Sequence, residues 1–220
     1  LVHEQRQLRR HLRQNSRAAH AKGRCALIKT VLYLHGFLSG PGSKKACLLR
    51  DLCEARGARY VAPDLNMSPR DAAGLIWSEY EAAAAVGDVA VAGASLGGFY
   101  AAWLASRTGI RAALLNPAVE PWNIVKDYNG EYKSFTGDRI VRVTPEYADQ
   151  LRALDSLPLA DPSRTLMILC TGDEVLDWQQ AVKRFPDVQS IVIEGSDHRI
   201  SCFDEYAEGV RDFLLGPETE

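Results

Sequence analysis

The first residue in this sequence whose setting suggests chemistry is a serine among small neighbours. In Gly93-Ala94-Ser95-Leu96-Gly97 a G-x-S-x-G pentapeptide follows the apolar run Val89 to Gly93 and precedes a stretch rich in glycine and alanine. A strand that turns sharply into a helix holds its turn serine in a strained conformation, and residues two positions away must be small because strand and helix approach closely. Gly93 and Gly97 meet that need, so the spacing predicts a nucleophile elbow with Ser95 at its tip. A glycine-rich turn with a structural serine is the plainer alternative, and the flanking strand and helix weigh against it.

A serine hydroxyl attacks poorly until a neighbouring base takes its proton. Of the five histidines, His3, His11 and His20 lie in a polar N-terminal stretch, and His35 precedes Gly36 at the end of the first strand. His198, in Gly195-Ser196-Asp197-His198, follows the last predicted strand and is the candidate base, while His35 is read as a structural hydrogen-bonder that shapes its own loop. The orienting acid should follow the preceding strand, where Asp173, Glu174 and Asp177 all occur in Thr171 to Asp177. Asp177 precedes Trp178 and a helical run with Gln180 three residues on, an N-cap arrangement. Asp173, in the turn directly beyond the strand, can accept the imidazole Nδ1 proton and is the expected acid, ahead of Glu174 and Asp177.

Attack on an acyl carbon creates a negative oxygen, which two backbone amides can bind. The residue after the nucleophile, Leu96, offers one; Phe37 in His35-Gly36-Phe37-Leu38 offers the other. Serine, imidazole and carboxylate suffice for this chemistry, so no cofactor is expected. The stretch Gly36 to Lys45 lacks the G-x-x-x-x-G-K-[ST] spacing of a phosphate cradle, and neither H-E-x-x-H nor paired cysteines occur, so nucleotide and metal sites are not expected.

These residues need a scaffold that delivers them to one place. Short apolar runs at Leu27 to Leu34, Arg59 to Ala62, Val89 to Gly93, Ala112 to Leu115, Leu166 to Leu169 and Ser190 to Ile193 alternate with amphipathic helical stretches. That alternation predicts an α/β fold with a mostly parallel central sheet and helices on both faces. Continuous rather than alternating apolar character fits strands covered on both sides. Helices are expected from Ser43 to Arg56, ending at Gly57; from Pro69, capped by Ser68; from Gln179 to Phe185; and from near Ser201 to Leu214, ending at Gly216-Pro217. With strands and triad in this order (serine, acid, histidine), the expected architecture is the α/β-hydrolase fold.

Residues 118–164 interrupt the alternation and are read as a small cap insertion over the carboxyl edge of the sheet, where such folds bind ligands. An ordinary surface excursion is the alternative. Phe37, Leu38, Trp122 and Tyr132 are the expected substrate-pocket residues.

The 220 residues suit one domain preceded by a basic extension, residues 1–26, read as a solvated arm. The chain opens on Leu1 with its first methionine at Met67, inside the expected core, so the natural start is expected upstream. A net charge of −2 with 46% hydrophobic residues fits a globular protein without the basic excess of a nucleic-acid binder. Five cysteines without a C-x-x-C pair, and no apolar stretch long enough for a membrane span or secretory signal, favour a cytoplasmic location. A monomer is compatible with the sequence.

Over about residues 30 to 215 the chain resembles the YqiA-like esterases, small bacterial α/β-hydrolases. The resemblance is carried by Leu32-Tyr33-Leu34-His35-Gly36-Phe37, Gly93-Ala94-Ser95-Leu96-Gly97-Gly98-Phe99-Tyr100-Ala101, Asn116-Pro117-Ala118-Val119, Thr171 to Asp177, and Glu194 to His198. It implies esterase activity, acyl-thioester hydrolysis included, with Ser95, Asp173 and His198 at the triad positions. The N-terminal arm departs from the family pattern, as does Arg199-Ile200 after the histidine, where similar proteins tend to have small or aromatic residues. The expected function is therefore a serine carboxylic-ester hydrolase acting on small acyl esters or thioesters. An amidase or dedicated acyl-CoA thioesterase using the same residues, or a non-catalytic binding protein with an idle triad, are the alternatives.

Overall fold

The apolar runs pair side by side in a computed structural model that describes residues 28–135 and 139–216. The basic extension at residues 1–26, the start of the first strand at Leu27, and Pro217 lie outside the described residues. In chain order the strands are β1 (Ile28–Leu34), β2 (Arg59–Val61), β3 (Asp88–Ala94), β4 (Arg111–Leu115), β5 (Gly130–Lys133), β6 (Ile140–Val143), β7 (Thr165–Cys170) and β8 (Gln189–Ile193). Among the described residues, β5 and β6 form a separate antiparallel hairpin, and the other six join one wholly parallel sheet of order β2-β1-β3-β4-β7-β8.

Seven α-helices connect them: α1 (Lys44–Glu54), α2 (Pro69–Ala84), α3 (Leu96–Thr108), α4 (Trp122–Val125), α5 (Glu146–Ala153), α6 (Trp178–Arg184) and α7 (Ala207–Leu215), counted among the described residues. Successive strand residues point to opposite faces, and here both faces are covered. Leu32, Leu34, Val91, Leu114 and Met167 pack with α2, α3 and the hairpin on one side. Val31, Tyr33, Ala92, Leu115 and Ile168 pack with α1 and α7 on the other. This double burial, about 1.5–3 kcal/mol for each large apolar side chain, is why the strands read as unbroken apolar runs.

Local signals act as anticipated at several ends. Ser68 Oγ accepts from the Asp71 amide at 3.3 Å and donates to its carboxylate at 2.6 Å, opening α2. Gly57 adopts φ +75° just beyond α1. The start of the last helix differs from expectation: the chain passes through a 3-10 turn at Phe203–Glu205, and α7 begins at Ala207. Asp197 holds Ser201 by its amide at 2.8 Å and its hydroxyl at 2.7 Å, and Ile200 sits at φ +51°, so a regular helix cannot begin there.

From β1 the chain moves outward to β2, then returns to β3 on the other flank of β1. The loops leaving β1 and β3 therefore diverge, and the crevice between them lies at the carboxyl ends of the strands. Residues 118–164 hold α4, the β5–β6 hairpin and α5; Val141, Val143, Tyr147 and Leu151 are buried, and α5 packs against α2 and α4. Among the described residues no helix is long and apolar enough to cross a membrane.

Candidate active site

Ser95 links β3 to α3 with φ +55° and ψ −119°, a conformation that costs a non-glycine residue on the order of 1–3 kcal/mol. Hydrogen bonds hold it there. Its amide donates to the Leu115 carbonyl at 3.0 Å, and its carbonyl accepts from the amides of Gly98 at 2.9 Å and Ala118 at 3.0 Å. The turn closes only with glycine on either side: a Cβ on Gly93 would lie 2.1 Å from the Gly97 carbonyl oxygen, and one on Gly97 would lie 1.9 Å from that of Leu34.

His198 follows β8 and Asp173 follows β7, neighbours in the sheet, and the three side chains meet. Ser95 Oγ–H donates to His198 Nε2 at 3.1 Å. That assignment leaves the proton on Nδ1, which donates to Asp173 Oδ2 at 2.8 Å. The Asp173 side chain is 1% exposed and that of His198 18%. Burial pushes the Asp173 carboxyl up, but hydrogen bonds from His198 and from the amides of Leu176 and Val175 together outweigh it, leaving its pKa below the ordinary 3.8. An ionised carboxylate in this position fixes the imidazole tautomer and would stabilise its protonated form.

Asp177 caps α6, accepting from the Gln179 amide at 3.0 Å. Glu174 turns to the backbone instead, accepting from the His198 amide at 3.0 Å. His35 donates from Nδ1 to the Gly36 carbonyl at 2.8 Å and accepts at Nε2 from the Leu65 amide, also at 2.8 Å. Burial lowers its pKa against the opposing pull of the Gly36 carbonyl and Asp64, in keeping with a neutral ring that organises the β1 exit.

The two candidate oxyanion donors flank Ser95. Leu96 opens α3, so its amide is a first-turn donor without an intrahelical acceptor. Phe37 follows Gly36, which abuts the serine: a Cβ on Gly36 would lie 3.2 Å from Ser95 Cβ. Beside this point an apolar cleft is lined by Phe37, Leu38, Leu65, Met67, Leu96 and Leu151, with further residues from α4 and β6.

Two of the four expected pocket residues sit elsewhere. Trp122 is 9% exposed, its ring edge-on to Phe99 at 6.2 Å and beneath the Arg152 guanidinium at 5.9 Å, because α4 packs on α5 and turns the indole into the core. Tyr132 lies two rings back, against Tyr128, whose ring in turn meets Phe37 at 5.4 Å. Neither lines the cleft. Sequence reasoning also passed over Asn116 as a site residue. It is buried just beyond β4 and hydrogen-bonded to both the end of β7, which leads into the acid turn, and the histidine loop. A polar residue closing an apolar strand was the available signal.

Solved structures with this architecture include Est1E from Butyrivibrio proteoclasticus, 16% identical, with a TM-score of 0.65 over 86% of this chain and 88% of that one. The monoacylglycerol lipase from Paleococcus ferrophilus is 13% identical, with a TM-score of 0.65 over 86% and 95%. The alpha/beta hydrolase domain-containing protein 10 from mouse is 15% identical, with a TM-score of 0.60 over 77% and 82%. The fold is thus that of the α/β-hydrolases. A family description, "Uncharacterised protein family (UPF0227)", matches residues 30–215, the span of the YqiA-like resemblance. This chain belongs to the UPF0227, YqiA-like family.

Proposed function

We propose that the protein is a serine hydrolase that cleaves carboxylic esters or thioesters of small acyl groups through an acyl-enzyme. The observation that carries this reading is the unbroken hydrogen-bonded line from Ser95 Oγ through the His198 ring to the buried Asp173 carboxylate, with the serine on a strained turn. Ser95 Oγ attacks the acyl carbon while His198 Nε2 takes the hydroxyl proton. The amides of Phe37 and Leu96 receive the negative oxygen of the tetrahedral intermediate. Collapse breaks the bond to the leaving alcohol or thiol, which departs with the proton from His198. A water, deprotonated by the same imidazole, then releases the acid and restores the serine.

The cleft beside Phe37 and Leu96 is walled chiefly by hydrocarbon, which suits an uncharged aliphatic acyl chain. Relatives in structure that bear the names esterase and lipase accord with this chemistry. Hydrolysis of p-nitrophenyl butyrate by the wild type and by Ser95→Ala is the test. The variant should remain folded and lose on the order of 10⁴-fold or more in kcat. Undiminished turnover by Ser95→Ala would overturn the proposal.

A further inference from the structure

We infer that Asn116 is a positioning residue that sets His198 and Asp173 in register with Ser95, an inference resting on the proposed triad. Its side chain makes three hydrogen bonds, all to the end of β7 and the histidine loop, the two segments that carry the other partners. Oδ1 accepts from the amide of Cys170, at the end of β7 and three residues before Asp173, at 2.9 Å. The two Nδ2 protons go to the carbonyls of Asp197 and His198, each at 3.2 Å. The residue is 3% exposed, and its own amide donates to the Ile168 carbonyl at 2.8 Å.

The backbone around it reaches the third partner. Leu115 accepts from the Ser95 amide and Ala118 donates to the Ser95 carbonyl, both at 3.0 Å. Pro117 packs so closely on α3 that a Cβ on Gly98 would lie 2.8 Å from its ring. Four consecutive residues, Leu115 to Ala118, thus touch the serine turn, the acid turn and the histidine loop. Asn116 itself adopts φ +41°, a left-handed conformation that asparagine tolerates better than most residues. The His198 peptide is gripped at both ends, its carbonyl by Asn116 and its amide by Glu174 at 3.0 Å. Only a side-chain amide fits this place: it must present one acceptor to β7 and two donors to carbonyl oxygens.

Asn116→Asp keeps the shape and the Cys170 bond but sets an acceptor against two carbonyls; Asn116→Ala removes all three bonds. In both variants kcat for p-nitrophenyl butyrate should fall on the order of 100-fold, the scale of an ångström-sized misplacement, with KM within about threefold. Proton NMR gives a second readout without turnover. The downfield Nδ1 proton of His198, bonded to Asp173 in the wild type, should shift or vanish in Asn116→Asp. Wild-type kcat together with an unmoved proton resonance would overturn the inference. An inactive wild type whose His198 proton still responds to Asn116→Asp would instead sink the hydrolase reading and leave the positioning role standing. Should neither variant fold, exchange of the Asn116 side-chain amide protons in the wild type decides: slow exchange supports the role, and solvent-like exchange refutes it.

Discussion

At the carboxyl edge of the sheet each side chain of the proposed triad is tied to a strand end by hydrogen bonds, whereas the insertion between β4 and β7 is seated mainly by apolar contact. Ser95, Asp173 and His198 all stand on turns braced by hydrogen bonds. The hairpin presses Val141 and Val143 inward and leaves Phe135 77% and Ile140 67% exposed. Among the described residues, the Phe135 amide donates to the Leu38 carbonyl at 2.7 Å and Arg139 pairs with Asp64 at 3.3 Å, tying it to the β1 and β2 exits. Hydrogen bonds are directional and fix atoms to fractions of an ångström, while apolar packing tolerates exchange of shapes. The edge should therefore govern the chemical step and the insertion the choice of substrate.

The sharpest way to break that division is at Asp173. Asp173→Asn should lower kcat about 10⁴-fold by allowing the wrong imidazole tautomer, with the fold intact by circular dichroism. Glu174→Ala, which removes a bond to the His198 amide and none to its ring, should cost far less; equal losses would mean that the acid has been misassigned. Next in size is Gly97→Ala. Its Cβ would overlap the Leu34 carbonyl, so urea unfolding should show a loss of about 3 kcal/mol or more, or no folded protein. A wild-type midpoint would mean that the elbow is not as tight as described.

In the cleft that the insertion lines with Val125, Val141, Tyr147 and Leu151, Met67→Trp from the wall outside the insertion should fill space. KM for a butyrate ester relative to an acetate ester should rise about tenfold while kcat for the acetate holds. A collapse of kcat for both esters would erase the distinction between edge and cleft. The smallest effect is in pH. The folded pKa of His35 lies below its ordinary 6.5, so its contribution to stability is complete above that value and declines as the unfolded state takes up protons below it. The Asp173 contribution, from a pKa depressed below 3.8, persists to lower pH and is lost as pH falls through the folded value. Urea midpoints should thus begin to fall as pH drops below about 6.5 and fall again in stronger acid; a flat or rising profile just below pH 6.5 would contradict the buried neutral His35.

Much of this division is legible in the residues themselves. The strands announce themselves because both faces of a parallel sheet are apolar. Ser95 is marked by the glycines its turn demands, and His198 and Asp173 by their places after the last two strands. What escapes a linear reading depends on contacts far apart in sequence. Asn116 bonds residues 54, 81 and 82 positions away, and a polar residue closing an apolar strand gives no hint of which distant groups it holds. Trp122, an aromatic in a polar stretch, suits a pocket wall or a core plug equally well until α4 is seen to pack on α5. The broken start of α7 likewise depends on Asp197 claiming Ser201 and on the left-handed Ile200, whereas the apolar periodicity runs on unchanged.

Reactivity of Ser95 toward a fluorophosphonate, located by peptide mass spectrometry, tests the core of this account most directly. The wild type should be labelled at Ser95 in preference to its other hydroxyls, and His198→Ala should slow that labelling by on the order of 10³-fold or more while remaining folded. Labelling of Ser95 at the same rate in both proteins, or no labelling of Ser95 in the wild type, would contradict it.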